Sequence, residues 1–361
     1  MVRSQRVMLL LGAGASSQFG VPITRTLLKG YLRDAKRPRW KVRRAQQVLK
    51  TIKEYGFDPS LENLLMVLDA NADPQRLLEH FGPILAQHVS KTKLRRIVPL
   101  PKDTVVGEDI REWVFLKCYV SGSRIVSGTK LIDKIGSYYD RIFVGIKQYF
   151  SLPLLSNYVQ RYPPLHVFTT NFDNCIELFC RRQNIPLYDG FDNRPQGGYK
   201  FDHTLYSDSL TKTRLKLYKI HGTVRYVKNP DGEFDELTVA PLKDTIEING
   251  KSCKPDLVYP GSYQYSSESP RLELLYLMKE QIRIADRIVV IGYSFRDQHI
   301  TTVFREGLSE NPKSRLILCS KHARQIIKKN LPFAKNQSIP VSISAKNLDP
   351  LKHFPTSKVP R

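Results

Sequence analysis

Apolar residues along this chain fall into two rhythms. The first is a set of short unbroken runs. Residues 6–11 pass from Arg6 through Val7-Met8-Leu9-Leu10-Leu11 and stop at Gly12-Ala13-Gly14, as expected of a parallel strand buried on both faces. Comparable runs return at Leu165–Thr169, Leu217–Ile220, Arg287–Gly292 and Arg315–Ser320, each followed by polar or turn-forming residues. The second rhythm is helical. A turn and a helix are expected over 15–32. Val42, Ala45, Val48, Leu49 and Ile52 repeat at helical spacing, as do Leu61, Leu64, Leu65 and Leu68, so each set lines one face of a helix. Asp58-Pro59 reads as the N-cap and first position of the second of these. Residues 92–112, with Lys93, Pro99, Pro101, Lys102 and Gly107, read as a loop, and helical character resumes over 128–151. Ile176–Arg182 and Leu272–Ala285 complete the expected helices.

Strands alternating with helices predict an α/β fold with a parallel sheet. The expected division is a Rossmann-like domain from residues 1–35, 160–185, 215–225 and 270–325. A helical insertion at 36–159 would interrupt it. A smaller irregular lobe would cover 186–265, where Gly, Pro, Asp and Tyr recur without period, and a loosely held basic tail would cover 326–361.

Composition adds four constraints. The chain has 361 residues, 41% hydrophobic and 25% charged, which suits an ordinary globular protein with a large core. It has no apolar run of membrane-spanning length, and its first apolar run is too short for a signal peptide, so a cytoplasmic protein is expected. Cys118, Cys175, Cys180, Cys253 and Cys319 are scattered, with no Cys-x-x-Cys pair. That argues against both a zinc ribbon and a disulfide framework, and no metal site is expected. The net charge is +23, and ten Lys and Arg stand against Asp34 alone in 29–53, and nine against Asp349 alone in 321–361. Such clustering suits nucleic acid or an acidic partner as well as it suits a solvated surface.

Four short motifs carry candidate chemistry, each at the end of an expected strand, where ligands of open α/β sheets bind. Gly12-Ala13-Gly14-Ala15-Ser16 follows the first strand. It is a partial dinucleotide fingerprint, because the third glycine is missing; taken alone it is a weak signal, and a tight structural turn is the plainer explanation. Thr169-Thr170-Asn171-Phe172-Asp173 follows the second. Buried polar residues there need partners, although Asn171 or Asp173 could simply cap the next helix. Lys219-Ile220-His221-Gly222 places a histidine on the same edge. Val289-Val290-Ile291-Gly292-Tyr293-Ser294-Phe295-Arg296-Asp297 ends the fourth strand.

In order and spacing, together with Gly20-Val21-Pro22, these motifs resemble the sirtuin-like NAD-hydrolase family, and within it the bacterial branch found in antiphage defence. The resemblance covers about half the chain, leaving out the helical insertion and the tail. It implies that NAD is the substrate. Gly12, Ala13, Gly14, Ala15 and Ser16 would hold its pyrophosphate and the adjoining ribose. Thr24 and Arg25 would add a phosphate contact. Asn171, with Thr170 beside it, would position the attacking water, Asp173 would orient the nicotinamide end, and His221 would act as general base. Gly292, Ser294 and Phe295 would line the adenosine side. Protein-deacylating sirtuins carry Gly-Ile-Pro-Asp-Phe-Arg where this chain has Gly20-Val21-Pro22-Ile23-Thr24-Arg25, and they carry a four-cysteine zinc site that cannot be assembled here. Both departures favour hydrolysis of NAD to nicotinamide and ADP-ribose.

Two other functions fit the same residues. One is an NAD-dependent deacylase or ADP-ribosyltransferase, which needs an acceptor groove. The other is a non-catalytic module binding nucleotide and, through the basic segments, nucleic acid. The family further implies control by homo-oligomerisation or by a DNA-translocating ATPase partner.

Overall fold

The computed structural model describes residues 5–54, 56–69, 103–126, 128–150, 164–193, 198–206, 215–237, 246–257 and 270–355. The expected loop lies outside them over 92–102. Strand β1 (Val7–Leu11) leads into a helical turn, α1 (Ala13–Ser16), and then α2 (Thr24–Arg33). A helical block follows: α3 (Arg39–Glu54), α4 (Leu61–Asp69), α5 (Asp103–Cys118), the hairpin β2 (Ile125–Val126) and β3 (Thr129–Lys130), and α6 (Leu131–Tyr149). The chain then forms β4 (Leu165–Thr169), α7 (Cys175–Arg182), β5 (Leu187–Tyr188), β6 (Phe191–Asn193) and β7 (Tyr199–Phe201). Next come β8 (Leu215–Lys219), β9 (Gly222–Lys228), β10 (Phe234–Glu236), β11 (Ile246–Ile248) and β12 (Lys251–Leu257). The last elements are α8 (Arg271–Ile284), β13 (Arg287–Ile291), α9 (Gln298–Glu310), β14 (Arg315–Cys319), α10 (Ala323–Asn330), β15 (Ser338–Val341) and α11 (Pro350–His353).

Seven strands form one parallel sheet in the order β15-β14-β13-β1-β4-β8-β5. This is the expected α/β class. Side-chain alternation divides its core in two. Leu9, Leu11, Val167, Leu217, Val289 and Ile317 point to the face covered by the helical block and α7. Met8, Leu10, Phe168, Tyr218, Val290 and Leu318 point to the face covered by α8, α9 and α10. Burial on both faces is what makes the strands read as continuous apolar runs.

Several expectations need correction. Residues 103–112 are not loop but the first part of α5, whose Val106, Ile110, Trp113 and Val114 are buried at helical spacing. Helix α4 starts at Leu61, later than Asp58-Pro59 suggested, and the Ser60 hydroxyl accepts the Asn63 N–H at 3.1 Å. The lobe after residue 186 is regular where it is described: β11-β12-β9-β10-β7-β6 form an antiparallel sheet. Nor is the basic tail loose as far as residue 355. Strand β15 pairs with β14 along the sheet edge, and Leu331, Leu348 and Phe354 are buried.

Sheet order fixes where a ligand can sit. From β1 the chain crosses to β4 on one side, whereas from β13 it moves to β14 on the other, and β1 and β13 are neighbours. The loops leaving these two strands therefore diverge to opposite faces, which is the topological switch point where open α/β sheets bind ligands.

Candidate active site

The four motifs reach one edge in register. Leu11 stands beside Thr169 on one side and Ile291 on the other, and Thr169 stands beside Lys219. Residues just beyond these positions therefore leave the sheet side by side, with neighbouring strands roughly 5 Å apart.

The loops after β1 and β13 pass backbone against backbone. The Gly12 N–H donates to the Ile291 carbonyl at 2.9 Å, and the Gly14 N–H donates to the Gly292 carbonyl at 3.0 Å. A Cβ on Gly12 would fall 2.6 Å from both the Gly292 oxygen and the Tyr293 Cα, while Gly292 itself has φ +68°. The glycines are thus needed for loop packing whatever else they contact. The Ala15 N–H also bonds inward, to the Gly12 carbonyl at 2.9 Å.

Asn171 is fixed by what its amide donates. Its Nδ2 gives hydrogen bonds to the Gly12 carbonyl at 3.1 Å and to the fully buried Ser16 hydroxyl at 3.0 Å. The Thr169 hydroxyl ties the loop down by donating to the Leu11 carbonyl and accepting the Asn171 N–H, both at 3.0 Å. Both amide hydrogens are consumed, which leaves Oδ1 as the remaining polar atom of the side chain. It is buried and accepts no hydrogen bond among the described residues. Thr170 contributes its backbone, the N–H donating to the Leu11 carbonyl at 3.2 Å.

Asp173 is built the same way. Its Oδ1 accepts the Cys175 N–H at 3.1 Å, at the start of α7, and its buried Oδ2 has no hydrogen-bond partner among the described residues. The Asp173 carbonyl accepts a hydrogen bond from the buried Lys219 ammonium, which also lies 3.5 Å from the Glu177 carboxylate. Burial pushes the Glu177 carboxyl above its ordinary pKa, against the opposing pull of Lys219.

His221 follows β8 and is buried. Its Nε2 lies 3.0 Å from Asp297 Oδ2, and its ring lies 6.3 Å from that of Phe172 on the Asn171 loop. The other Asp297 oxygen caps α9, accepting the His299 and Ile300 N–H groups at 2.9 and 3.4 Å. The sequence displays Asp297 at the end of the fourth motif, but no local pattern says that it meets His221. The carbonyl of Ser294 accepts from Asn330 Nδ2 at 2.7 Å, and the Phe295 ring is buried against Tyr293 and Phe304 at φ +54°. The side chains of Thr24 and Arg25 lie outside the described residues; their backbone opens α2.

Lys219 and Gly222, which flank His221 in sequence, line a small open pocket with Phe201, Thr223, Tyr226 and Arg271, among others; His221 itself does not line it. No group of His, Cys, Asp and Glu among the described residues could hold a metal ion, and none of their helices is long and apolar enough to cross a membrane. The basic segment 29–53 is partly neutralised within the fold. Arg37 and Lys41 pair with Asp109 at 3.2 and 2.8 Å, and Arg44 pairs with Asp103 at 2.7 Å.

With this geometry in place, comparison with known proteins finds a match over the part of the chain that carries all strands of the parallel sheet except β1. Residues 165–341 match the SIR2-like domain. That span contains Asn171, Asp173, His221, Gly292, Ser294 and Asp297, but not the glycine loop after β1. The chain is also similar to solved Sir2 structures. A Sir2 homolog–NAD complex is 13% identical, with a TM-score of 0.40 over 86% of this chain and 76% of that one. A mutant Sir2 homologue in complex with 2'-O-acetyl ADP ribose is 13% identical, with a TM-score of 0.43 over 94% and 87%. A Sir2 protein bound to a propionylated peptide is 11% identical, with a TM-score of 0.38 over 95% and 90%. No curated protein matches the chain.

Proposed function

We propose that this chain is an NAD glycohydrolase, cleaving NAD with water to nicotinamide, ADP-ribose and a proton. The observation that carries the reading is the Asn171 amide. Its two hydrogens are held by Gly12 and Ser16, and its buried Oδ1 accepts no hydrogen bond among the described residues. Such an oxygen can accept one hydrogen of a water and aim the water's lone pair at the ribose carbon. As the glycosidic bond breaks, its electron pair leaves with neutral nicotinamide, and positive charge builds on the ribose. A neutral amide positions the nucleophile without forming an ion pair, and His221 can take the proton that the water loses. Asp173 Oδ2 is an acceptor suited to the N–H of a carboxamide. In this reading Gly12 to Ser16, Gly292 and Ser294 hold the remainder of the nucleotide.

The reading extends to a cytoplasmic enzyme that depletes NAD in bacterial antiphage defence. It would be held inactive by homo-oligomerisation or by a DNA-translocating ATPase partner, with nucleic acid meeting the basic surface.

Purified protein, with Asn171→Ala and His221→Ala, is incubated with NAD, with and without DNA, and nicotinamide and ADP-ribose are separated by chromatography. Wild-type cleavage that is lost in both folded variants supports the reading. Undiminished cleavage by Asn171→Ala overturns the mechanism.

The pocket lined by Lys219 and Gly222 favours a second reading, transfer of ADP-ribose or removal of an acyl group on an acceptor bound there. NAD labelled in the ribose, mixed with a propionylated peptide, separates them: ADP-ribosyl transfer carries label to the peptide, deacylation carries it to propionyl-ADP-ribose as the peptide loses its acyl group, and hydrolysis gives free ADP-ribose alone.

A further inference from the structure

We infer that Asp297 is a positioning residue that sets the tautomer of His221, and that the proton-accepting nitrogen of this histidine is Nδ1. The role in turnover rests on the NAD-cleavage reading; the tautomer does not. The two side chains are 4% and 2% exposed, with Nε2 and Oδ2 at 3.0 Å. A carboxylate only accepts, so the neutral imidazole must carry its proton on Nε2 to satisfy the contact. By valence the lone pair then lies on Nδ1. Two backbone N–H groups on the other Asp297 oxygen remove the carboxylate's freedom to rotate.

The turn that delivers Asp297 is held from several sides. Phe295 sits in the left-handed region, which a bulky residue adopts only when its surroundings impose it. Its buried ring packs on Tyr293 and Phe304 at 4.9 Å each. The Thr301 hydroxyl donates to the Asp297 carbonyl at 2.7 Å and lies 3.3 Å from the Phe295 carbonyl. This bracing matters because the two partners come from different strands, 76 residues apart in sequence.

Asp297→Asn tests the inference without removing the helix cap, because asparagine caps about as well as aspartate. Its Oδ1 must stay on the His299 and Ile300 N–H groups, which turns its NH₂ toward Nε2. The histidine is then forced to accept there and to carry its proton on Nδ1. Long-range ¹⁵N–¹H correlation spectra of ¹⁵N-histidine-labelled protein, with His221 assigned from His221→Gln, read the tautomer directly. The expected result is an Nε2–H ring in wild type and an Nδ1–H ring in Asp297→Asn. NAD cleavage should fall on the order of 100-fold or more in kcat, as general-base catalysis is worth, with KM changed only a few fold. A tautomer indifferent to Asp297→Asn overturns the inference whatever NAD does. A switched tautomer with unchanged kcat overturns the positioning role. If wild type cleaves no NAD at all, the glycohydrolase reading fails, and the spectra still decide whether Asp297 sets the ring.

Discussion

Alanine at Gly12 would test whether the two loops at the switch point pass backbone against backbone. Gly12 has φ −104° and ψ 179°, which alanine adopts without strain. The whole cost therefore comes from the added methyl, which would lie 2.6 Å from the Gly292 oxygen and the Tyr293 Cα and 2.7 Å from the Tyr293 Cβ. Two of these atoms are backbone and cannot rotate aside, so an overpacking cost of about 1–3 kcal/mol is expected. Gly292→Ala meets the same interface from the other side, with its Cβ 2.6 Å from the Ala15 nitrogen, and adds the left-handed φ of +68°. That conformation costs a non-glycine residue about 1–2 kcal/mol, giving about 2–5 kcal/mol together. Gly232→Ala is the control, since it has φ +81° but nothing within 4 Å of its Cβ and should lose only the backbone share of about 1–2 kcal/mol. Urea unfolding followed by circular dichroism ranks the three. Gly12→Ala within about 0.5 kcal/mol of wild type, the scatter of harmless substitutions, would refute the packing argument. Gly12→Ala that stays fully stable yet no longer cleaves NAD would assign the glycine to the ligand instead.

Three further outcomes follow from the buried charges and thiols. Asp109 accepts hydrogen bonds from Tyr31, Arg37 and Lys41 at 2.8, 3.2 and 2.8 Å. Asp109→Ala strips a buried arginine of its carboxylate and should cost about 3–5 kcal/mol; urea unfolding showing a loss below 1 kcal/mol would contradict it. Burial raises the Glu177 pKa in the folded state, so the native protein binds the extra proton and stability falls as pH climbs from the unfolded carboxyl value toward the raised one. That slope should be absent from Glu177→Gln when the two are compared by unfolding at stepwise pH, and identical slopes would exclude Glu177 as its source. All five thiols are buried, and burial pushes Cys118, Cys175, Cys180 and Cys319 upward, so a disulfide reagent near pH 8 should label them only in urea. Rapid labelling of the native protein would show that one of these sites opens.

What the sequence made legible follows from which interactions are local. The ends of β1, β4, β8 and β13 were readable because a parallel strand covered on both faces must be apolar throughout and must stop at turn chemistry. Helix α5 was obscured by Gly107 and the prolines before it, although Val106, Ile110, Trp113 and Val114 kept helical spacing. Strand β15 was hidden by Pro340, tolerated because β15 is the outermost strand of the sheet. The antiparallel lobe escaped notice because β6, β7, β10 and β11 have only three residues each, too few to establish a period. The basic segment looked more exposed than it is for a related reason. The acids that neutralise Arg37, Lys41 and Arg44 come 59 to 72 residues later, beyond any local charge count.

The candidate site shows why capping and chemistry are not rival explanations for its polar residues. At Asn171, Asp173 and Asp297 one side-chain group is spent on the fold, and the other has no hydrogen-bond partner among the described residues, at Asn171 and Asp173, or meets His221, at Asp297. Nδ2 of Asn171 anchors the loop to Gly12 and Ser16, which leaves Oδ1 as acceptor. Oδ1 of Asp173 receives the Cys175 N–H and so aims Oδ2, while Oδ1 of Asp297 caps α9 and so aims Oδ2 at His221. Orientation is bought by the structural half of each group, because a side chain tethered through one atom has lost most of the rotamers that would misplace the other. Substitutions that keep the tether and change only the delivered atom, as Asp297→Asn does, are therefore the ones that separate folding from function at this edge of the sheet.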